Sequence, residues 1–476
     1  MKKTLYRGLT TKIICAVLAI LSAVFFCSCG KESGKYKETQ ITTEAHTETT
    51  EEIVTKATNI EIVTRPHANC EYISDYEDEN FKYAKYEDHI EIVRYLKDEE
   101  NVSVPGKIDG LPVISVNENA FAGKEKLSSL VLNSNLIKIG ANAFEGCPAL
   151  TDLKIESGLS EIGPFAFRDC KKLASLIIPG SVTDIGESAF SGCSSLSAVS
   201  LGHNLKSIGK AAFYNCTSLS SVSVSQSITY IGSGAFDKTK WLESQSEGVI
   251  YIGLVAYMFN GEIENGGSIT LRGDTVGIAG SAFYKCSGLS SINIGSKVRA
   301  IGDEAFYGCE NLSKLSVPGT VSIGAKAFFG CTSLSSAVIK GISGKIGYWA
   351  FYGCDSLTSF EIKDSEGEVL IDSGAFYGCG KLNTLKLGGS YSAINERAFD
   401  GCVSLSSFSV PDGVKILENF AFNGCSSMKS LQIPRSVIFI EDNAAYGCTG
   451  LEEIRGKSGS KAEEFASKIG VTFIND

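Results

Sequence analysis

Apolar positions fall in phase along most of the chain. Alanine recurs at positions 120, 143, 166, 189, 212, 235, 282, 305, 327, 350, 375, 398, 421 and 444, fourteen copies in all. Thirteen copies carry Phe next, and the last carries Ala445. Val, Ile or Leu stands four residues before each alanine, from Val116 to Ile440, and Leu or Met seven after it, from Leu127 to Leu451. The recurrent spacing is 23 residues. A fixed period of this size predicts a solenoid, in which each coil is incomplete until its neighbours bury it.

One copy shows the elements the pattern predicts. Leu150, Leu153 and Ile155 have the spacing of a short strand, with Lys154 on its other face. Ile162 and Gly163 mark a bend, and Gly163 is expected to take a backbone geometry that a β-carbon hinders. Ala166 and Phe167 then turn inward, so that Phe rings supply much of the core. Pro179, Pro318, Pro411 and Pro434 follow the strand positions, where they can end pairing without removing a ladder donor. Between the buried strand positions come Ser129, Asp152, Ser175, Ser221, Ser291, Lys314, Ser336, Ser359, Thr384, Ser407 and Ser430. That outward face is mostly small hydroxyls and is poor in the large side chains that anchor interfaces.

The period breaks between Ala235 and Ala282, 47 residues apart. Two apolar runs, Val249–Ile252 and Leu254–Phe259, flank Gly253 and suggest a β-hairpin in a variant stretch near residues 241–267. It is either a recognition edge or simply a variant coil.

At the ends the pattern changes. Residues 70–115 alternate apolar and polar, with a turn at Asp109 and Gly110, and read as an N-terminal β cap before a solenoid over 116–455. Within it Asp75, Glu77, Asp78 and Glu79 lack the ligand spacing of a calcium loop and read as a solvated face. Residues 456–476 read as a C-terminal cap: Ser460 and Glu463 fit a capping box, Ala462–Lys468 a short helix ended by Gly470, and Val471–Ile474 a last strand.

Charge and the N-terminus locate the chain. Lys2, Lys3, Arg7 and Lys12 precede an apolar run from Ile13 to Phe26, which reads as an export signal over residues 1–28. Phe26–Cys29 resembles a lipobox, with Cys29 the residue that would carry lipid after cleavage; a plain secretory signal is the alternative. Residues 29–69 then form a Thr- and Glu-rich stretch, too polar to bury a core, that reads as a disordered tether. The net charge is −10, and cleavage would make it more negative, which argues against nucleic acid or an anionic membrane surface as partner. Contact with membrane is then expected only through the lipid anchor.

Twelve of the sixteen Cys share one slot, four residues after the alanine. This period gives neither zinc-ligand spacing nor convergent disulfide vectors, so the slot reads as a ladder of buried free thiols, each a weak donor filling a small apolar gap. Cys70 lies outside the ladder.

The phrase Ile-Gly-x-x-Ala-Phe-x-x-Cys-x-x-Leu, as at Ile185–Leu196, resembles the BspA-like leucine-rich repeat family of bacterial surface proteins, over roughly residues 85–476. The resemblance implies a parallel β solenoid of about 14 coils with a sheet along one face. It also implies a role in adhesion or binding at the cell surface, and it brings no catalytic residues.

Recognition is expected in a variable slot. The residue after the repeat Phe is aromatic in five consecutive copies, Tyr284, Tyr307, Phe329, Tyr352 and Tyr377, with Tyr214 and Tyr446 further out. In register these make a candidate binding row for a host or bacterial surface protein or a glycan, unless each ring merely packs on the next. No cofactor or metal is implied. The alternatives are a structural spacer or assembly protein of the cell envelope, or a glycan-active enzyme. An enzyme would need convergent carboxylates or a Ser, His and Asp set, whereas His89 lies in the cap segment and His203 is isolated in a coil.

Overall fold

Each phrase closes one turn of a parallel β solenoid, and about 17 turns stack in register. The computed structural model describes residues 70–476, so the export segment, Cys29 and the tether lie outside the described residues.

The turn built on Ala166 illustrates the rule. Its strand Asp152–Ile155 pairs in parallel with Ser129–Leu132 of the turn before. A second strand of two residues, Glu161–Ile162, pairs with Lys138–Ile139 on one side and Asp184–Ile185 on the other. The bend expected at Ile162 is therefore itself a ladder. A third set of backbone bonds lies at the Ala-Phe corner, where Phe144 N–H donates to Ala166 O and Phe167 N–H to Ala189 O, both at 2.7 Å. These backbone groups find partners on neighbouring turns rather than within their own, which is why the repeat must stack.

Ala166, Phe167, Cys170 and Leu173 are fully buried. The Phe rings form two columns, from Phe121 to Phe236 with centroids 4.8–5.4 Å apart and from Phe283 to Phe422 at 5.1–5.6 Å. Paired strands sit about 4.8 Å apart, and aromatic rings pack with centroids about 4.5–7 Å apart. One repeat distance thus serves backbone and core together.

Gly163 is needed for a reason the sequence only half indicates. Its φ is not left-handed; a β-carbon there would lie 2.6 Å from Ile139 O and 2.8 Å from Gly140 C of the preceding turn. Left-handed backbone falls elsewhere in the turn, on the residue before the alanine, as at Asn142 (φ 54°), Phe165 (56°) and Trp349 (54°), and on the third residue after it, as at Gly146 and Gly353 (both 66°). The first of these positions is held by a bond to the next turn, such as Asn142 N–H to Pro164 O at 2.9 Å.

The prolines divide. Pro179, Pro411 and Pro434 come after strands ending at Ile177, Ser409 and Gln432. Pro318 instead lies inside the ten-residue strand Lys314–Ile323, where a register shift between Val317 and Thr320 lets the ladder pass over it. In this region the link between the two ladders is itself strand: Lys314–Ile323 pairs with the eleven-residue Ser336–Ile346, which pairs in turn with Ser365–Ile371.

The irregular stretch is a hairpin, Gly248–Ile252 antiparallel to Val255–Asn260, with Gly253 left-handed at φ 58°. A short helix, Lys240–Glu243, precedes it, and Thr239 Oγ1 accepts from Leu242 N–H at 3.2 Å to start it.

At the N-terminal end, strands Tyr72–Glu77, Phe81–Tyr86 and Ile90–Tyr95 run antiparallel in sequence. Ile90–Tyr95 pairs in parallel with Leu111–Val116, where the solenoid ladder begins. Phe81 and Tyr95 lie 6.3 and 4.9 Å from Phe121, the first ring of the column. Asp109 and Gly110 make the expected turn with both φ positive. At the other end the helix spans Lys461–Ile469, Gly470 ends it at φ 74°, and Thr472–Asn475 pairs with Glu453–Gly456. The expected capping box does not form, because the N-cap Ser460 N–H bonds Lys457 O instead of Glu463. Glu463 accepts Gly459 N–H at 2.6 Å, but the buried Ser460 hydroxyl makes no hydrogen bond. Turns outnumber phrases because Ile90–Tyr95, Val255–Asn260 and Thr472–Asn475 extend the ladders without an Ala-Phe pair.

The close approach at Gly163 makes Gly163→Ala cost stability at the upper end of about 1–3 kcal/mol, the range for overpacking. At Gly353 a β-carbon meets nothing within 4 Å, so Gly353→Ala costs only left-handed strain, about 1 kcal/mol. Urea unfolding of the two variants side by side checks this, and equal losses would contradict it.

Candidate binding ledge

Two columns of chemically distinctive side chains run along the turns, one buried and one exposed. The buried column is the Cys slot, and all twelve of its thiols are unbridged. Eleven of them, from Cys147 to Cys448, donate S–H to the Phe carbonyl of the preceding turn at 3.0–3.4 Å. Cys286 makes no such bond because the hairpin, not a regular turn, stands before it. Burial pushes the thiols of Cys331 and Cys379 up to about 12 and that of Cys286 up to about 11. A thiol held protonated is a poor nucleophile and a poor metal ligand, so these thiols act as donors within the core; at the two ends of the column Cys147 and Cys448 are instead shifted down, chiefly by hydrogen bonds with the thiols of Cys170 and Cys425.

The exposed column is the slot two residues after the alanine. Tyr284, Tyr307, Phe329, Tyr352 and Tyr377 come together as one stack, with centroids 5.0, 4.7, 4.6 and 5.0 Å apart and planes within 17° of parallel. Tyr284, at its start, is 43% exposed, and the other four are half-buried. Each ring covers the face of the next, so the stack offers ring edges and phenol hydroxyls rather than faces. Tyr214 and Tyr446 stand apart from it. Lys238 sits 4.8 Å from the Tyr214 ring centre, and Tyr446 meets Phe420 edge-on at 6.0 Å. The hairpin cuts the column before Tyr284, and Asp400, paired to Arg397 at 2.8 Å, occupies the slot after Tyr377.

The structure adds two residues that the slot-by-slot reading of the sequence missed. Tyr348 stacks on Trp349 at 4.5 Å, and Trp349 leans against Phe329 and Tyr352, at 6.2 and 5.3 Å with planes inclined by 45° and 46°. Trp349 occupies the left-handed position before Ala350, a different slot from the row, so counting one slot could not find it. Its signal was its rarity, one of two Trp in the chain. Lys326, ion-paired to Glu304 at 3.8 Å, places its ammonium 5.8 Å from the Trp349 ring. Each of Tyr307, Phe329, Tyr352 and Tyr377 is followed in sequence by a left-handed glycine, Gly308, Gly330, Gly353 and Gly378. The outward strand face is as the sequence predicts, with Asp152, Ser175, Ser291 and Lys314 exposed and no aromatic among its residues.

The family profile described as BspA type leucine rich repeat region, in six copies, matches residues 114–243, 254–369 and 344–466. The chain belongs to the BspA-type leucine-rich repeat family. No curated protein sequence matches it significantly. Among solved structures, a leucine-rich cell surface protein from Faecalibacterium prausnitzii is 22% identical, over 85% of this chain and 99% of that one, with a TM-score of 0.37. A leucine-rich repeat protein from Bacteroides ovatus is 24% identical over 86% and 98%, with a TM-score of 0.38. The T. pallidum leucine-rich repeat protein is 27% identical over 55% and 91%, with a TM-score of 0.31. Among the described residues no helix is long and apolar enough to cross a membrane.

The thiol column of this BspA-type chain makes its stability depend on alkaline pH. The usual thiol ionises near 9.0, whereas Cys331 and Cys379 in the fold do so only near 12. As pH rises the unfolded chain loses these protons first, so the stabilisation is complete below pH 9 and is lost between 9 and about 12. The thermal midpoint should fall across that window, and less steeply in the Cys331→Ala, Cys379→Ala double variant. An identical slope would remove the thiols from the explanation.

Proposed function

We propose that this BspA-type chain is a non-enzymatic binding or adhesion protein of the bacterial cell surface, presenting the ledge around Tyr284–Tyr377 to a protein or glycan partner. The observation that carries the reading is the ledge itself. Four phenol hydroxyls, on Tyr284, Tyr307, Tyr352 and Tyr377, make no hydrogen bond among the described residues and stand in line along the stack. Rings with an apolar body and a polar tip suit a contact surface that is wet when free and desolvated when bound. The turns beneath them include the long paired strands Lys314–Ile323 and Ser336–Ile346, which hold the rings in place before a partner arrives.

The remaining parts fit this role. Export with lipid on Cys29 would tie the protein to the outer face of the membrane, and the tether of residues 29–69 would hold the solenoid away from it. The antiparallel strands before Leu111 and the helix and strand after residue 456 would seal the ends of the core. A spacer without a soluble ligand is the second reading, supported by the outward strand face of small hydroxyls.

Replacing Tyr307 and Tyr352 by Ala should weaken binding to whole cells or glycan arrays by roughly 30-fold or more, the equivalent of about 2 kcal/mol for buried aromatic anchors. The thermal midpoint of the variant serves as the control for folding. Unchanged binding would remove the ledge from the reading, and a wild-type protein with no saturable binding would favour the spacer.

A further inference from the structure

We infer that the solenoid is two arrays that fold and unfold separately, with the hairpin of residues 248–260 as an internal septum between them. The apolar core is divided there. Residues up to Phe236 pack with Ile250, Ile252, Val255 and Tyr257 in one core, which reaches past the hairpin only at Ala279 and the half-buried Val276, whereas Ala256 belongs to a second core that continues to Ala466. The alternation of a strand thus sends neighbouring residues of Val255–Asn260 to opposite sides.

The ring column, the thiol column and the sheets all stop at this point. The ring column ends at Phe236, where Tyr257 meets it edge-on at 5.8 Å and 89°. It restarts at Phe283, with Phe259 tilted beside it at 6.4 Å. The thiol column runs to Cys216, and its next slot is Thr239, whose hydroxyl donates to Phe236 O of its own turn at 2.7 Å rather than to the turn before. The two-residue strands end at Tyr230–Ile231 and the outer strands at Ser221–Ser223, and new sheets begin at Gly248–Ile252 and Gly267–Thr270.

One bond identifies the hairpin as an end seal. In a regular turn the Phe N–H donates to the alanine carbonyl of the following turn, as Phe213 does to Ala235 O at 2.7 Å. Phe236 has no such turn after it; its N–H is met by the Tyr257 hydroxyl at 2.9 Å, which also bonds Asp237 Oδ1 at 3.3 Å. A side chain here satisfies the donor that stacking satisfies elsewhere. Trp241 of the short helix covers the same ring at 5.3 Å. The bonds that do cross the septum include Gly280 N–H to Ile231 O at 3.0 Å and the Ser233 and Ser281 hydroxyls at 2.7 Å. In a linear array stability is a sum of turns and nearest-neighbour interfaces, and one weak interface divides the cooperative unit.

Calorimetric or urea unfolding of the full chain tests this. Two transitions are expected. Tyr257→Phe, which leaves the buried Phe236 N–H unpaired, should lower the first by several degrees and leave the second in place, while Cys402→Ala should lower only the second. Should Tyr257→Phe fail to fold, hydrogen exchange of the wild type decides: amides of 121–236 and of 283–454 should open with different denaturant dependence. A single transition whose calorimetric and van't Hoff enthalpies agree for the whole chain, equal shifts of two transitions by Tyr257→Phe, or uniform exchange would overturn the inference.

Discussion

The distance between successive turns governs this structure. Backbone ladders between parallel strands fix it at about 4.8 Å, and the Phe column must accept it because every ring is carried by one turn. Rings of adjacent turns lie 4.8–5.6 Å apart, close to that repeat, so neither ladder nor core is strained to suit the other. The rest of the phrase follows from bringing turns this close. Alanine beside the Phe is the small residue that the corner admits. Gly163 stands where the carbonyl of Ile139 leaves no room for a β-carbon.

The Cys slot answers to the same constraint. At the corner the Phe carbonyl accepts a long bond from its own turn, Cys170 N–H to Phe167 O at 3.3 Å, and has a lone pair to spare. The thiol of the next turn supplies a second donor at 3.3 Å, as from Cys193 to Phe167 O. Alanine would fill less space and donate nothing. Serine would donate more strongly but would place a hydroxyl, costly to desolvate, against the Phe and Leu side chains. Sulfur packs like a small hydrophobe and still donates weakly, which suits a position that is apolar on most sides. An otherwise reactive residue is thereby used for its size and its single proton.

The fold was legible in the sequence because periodicity reports burial directly: Ala166, Phe167, Cys170 and Leu173 recur in phase and all are fully buried. The hairpin at Gly253 and the turn at Asp109 were legible from local chemistry. What escaped were features of turn-to-turn contact. Gly163 showed that a β-carbon was unwelcome, but its obstacle is a carbonyl 24 residues away in sequence, Ile139 O. Pro318 looked like a strand end because a register shift that carries a ladder past a proline leaves no mark in one chain's letters. The aromatic row was legible as a slot, whereas Trp349 joins it from another slot through a left-handed backbone. The division of the core was hidden because Val255, Ala256 and Tyr257 read as one apolar run, and only the strand's alternation assigns them to different cores.

A solenoid turns any run of like residues in one exposed slot into a column, without further design, because the register is already set by the core. Five aromatics in succession therefore make a ledge, and the same register dictates what the ledge can offer. Rings at 4.6–5.0 Å with near-parallel planes have no free faces between them, so the ledge presents edges and hydroxyls. Sugar rings or aromatic side chains that need a ring face could use only the ends of the stack. A partner that reads the ledge as a line must instead bring hydrogen-bonding groups along it. The ledge lies entirely after the septum, so a partner bound there would stabilise the second array and leave the stability of the first unchanged.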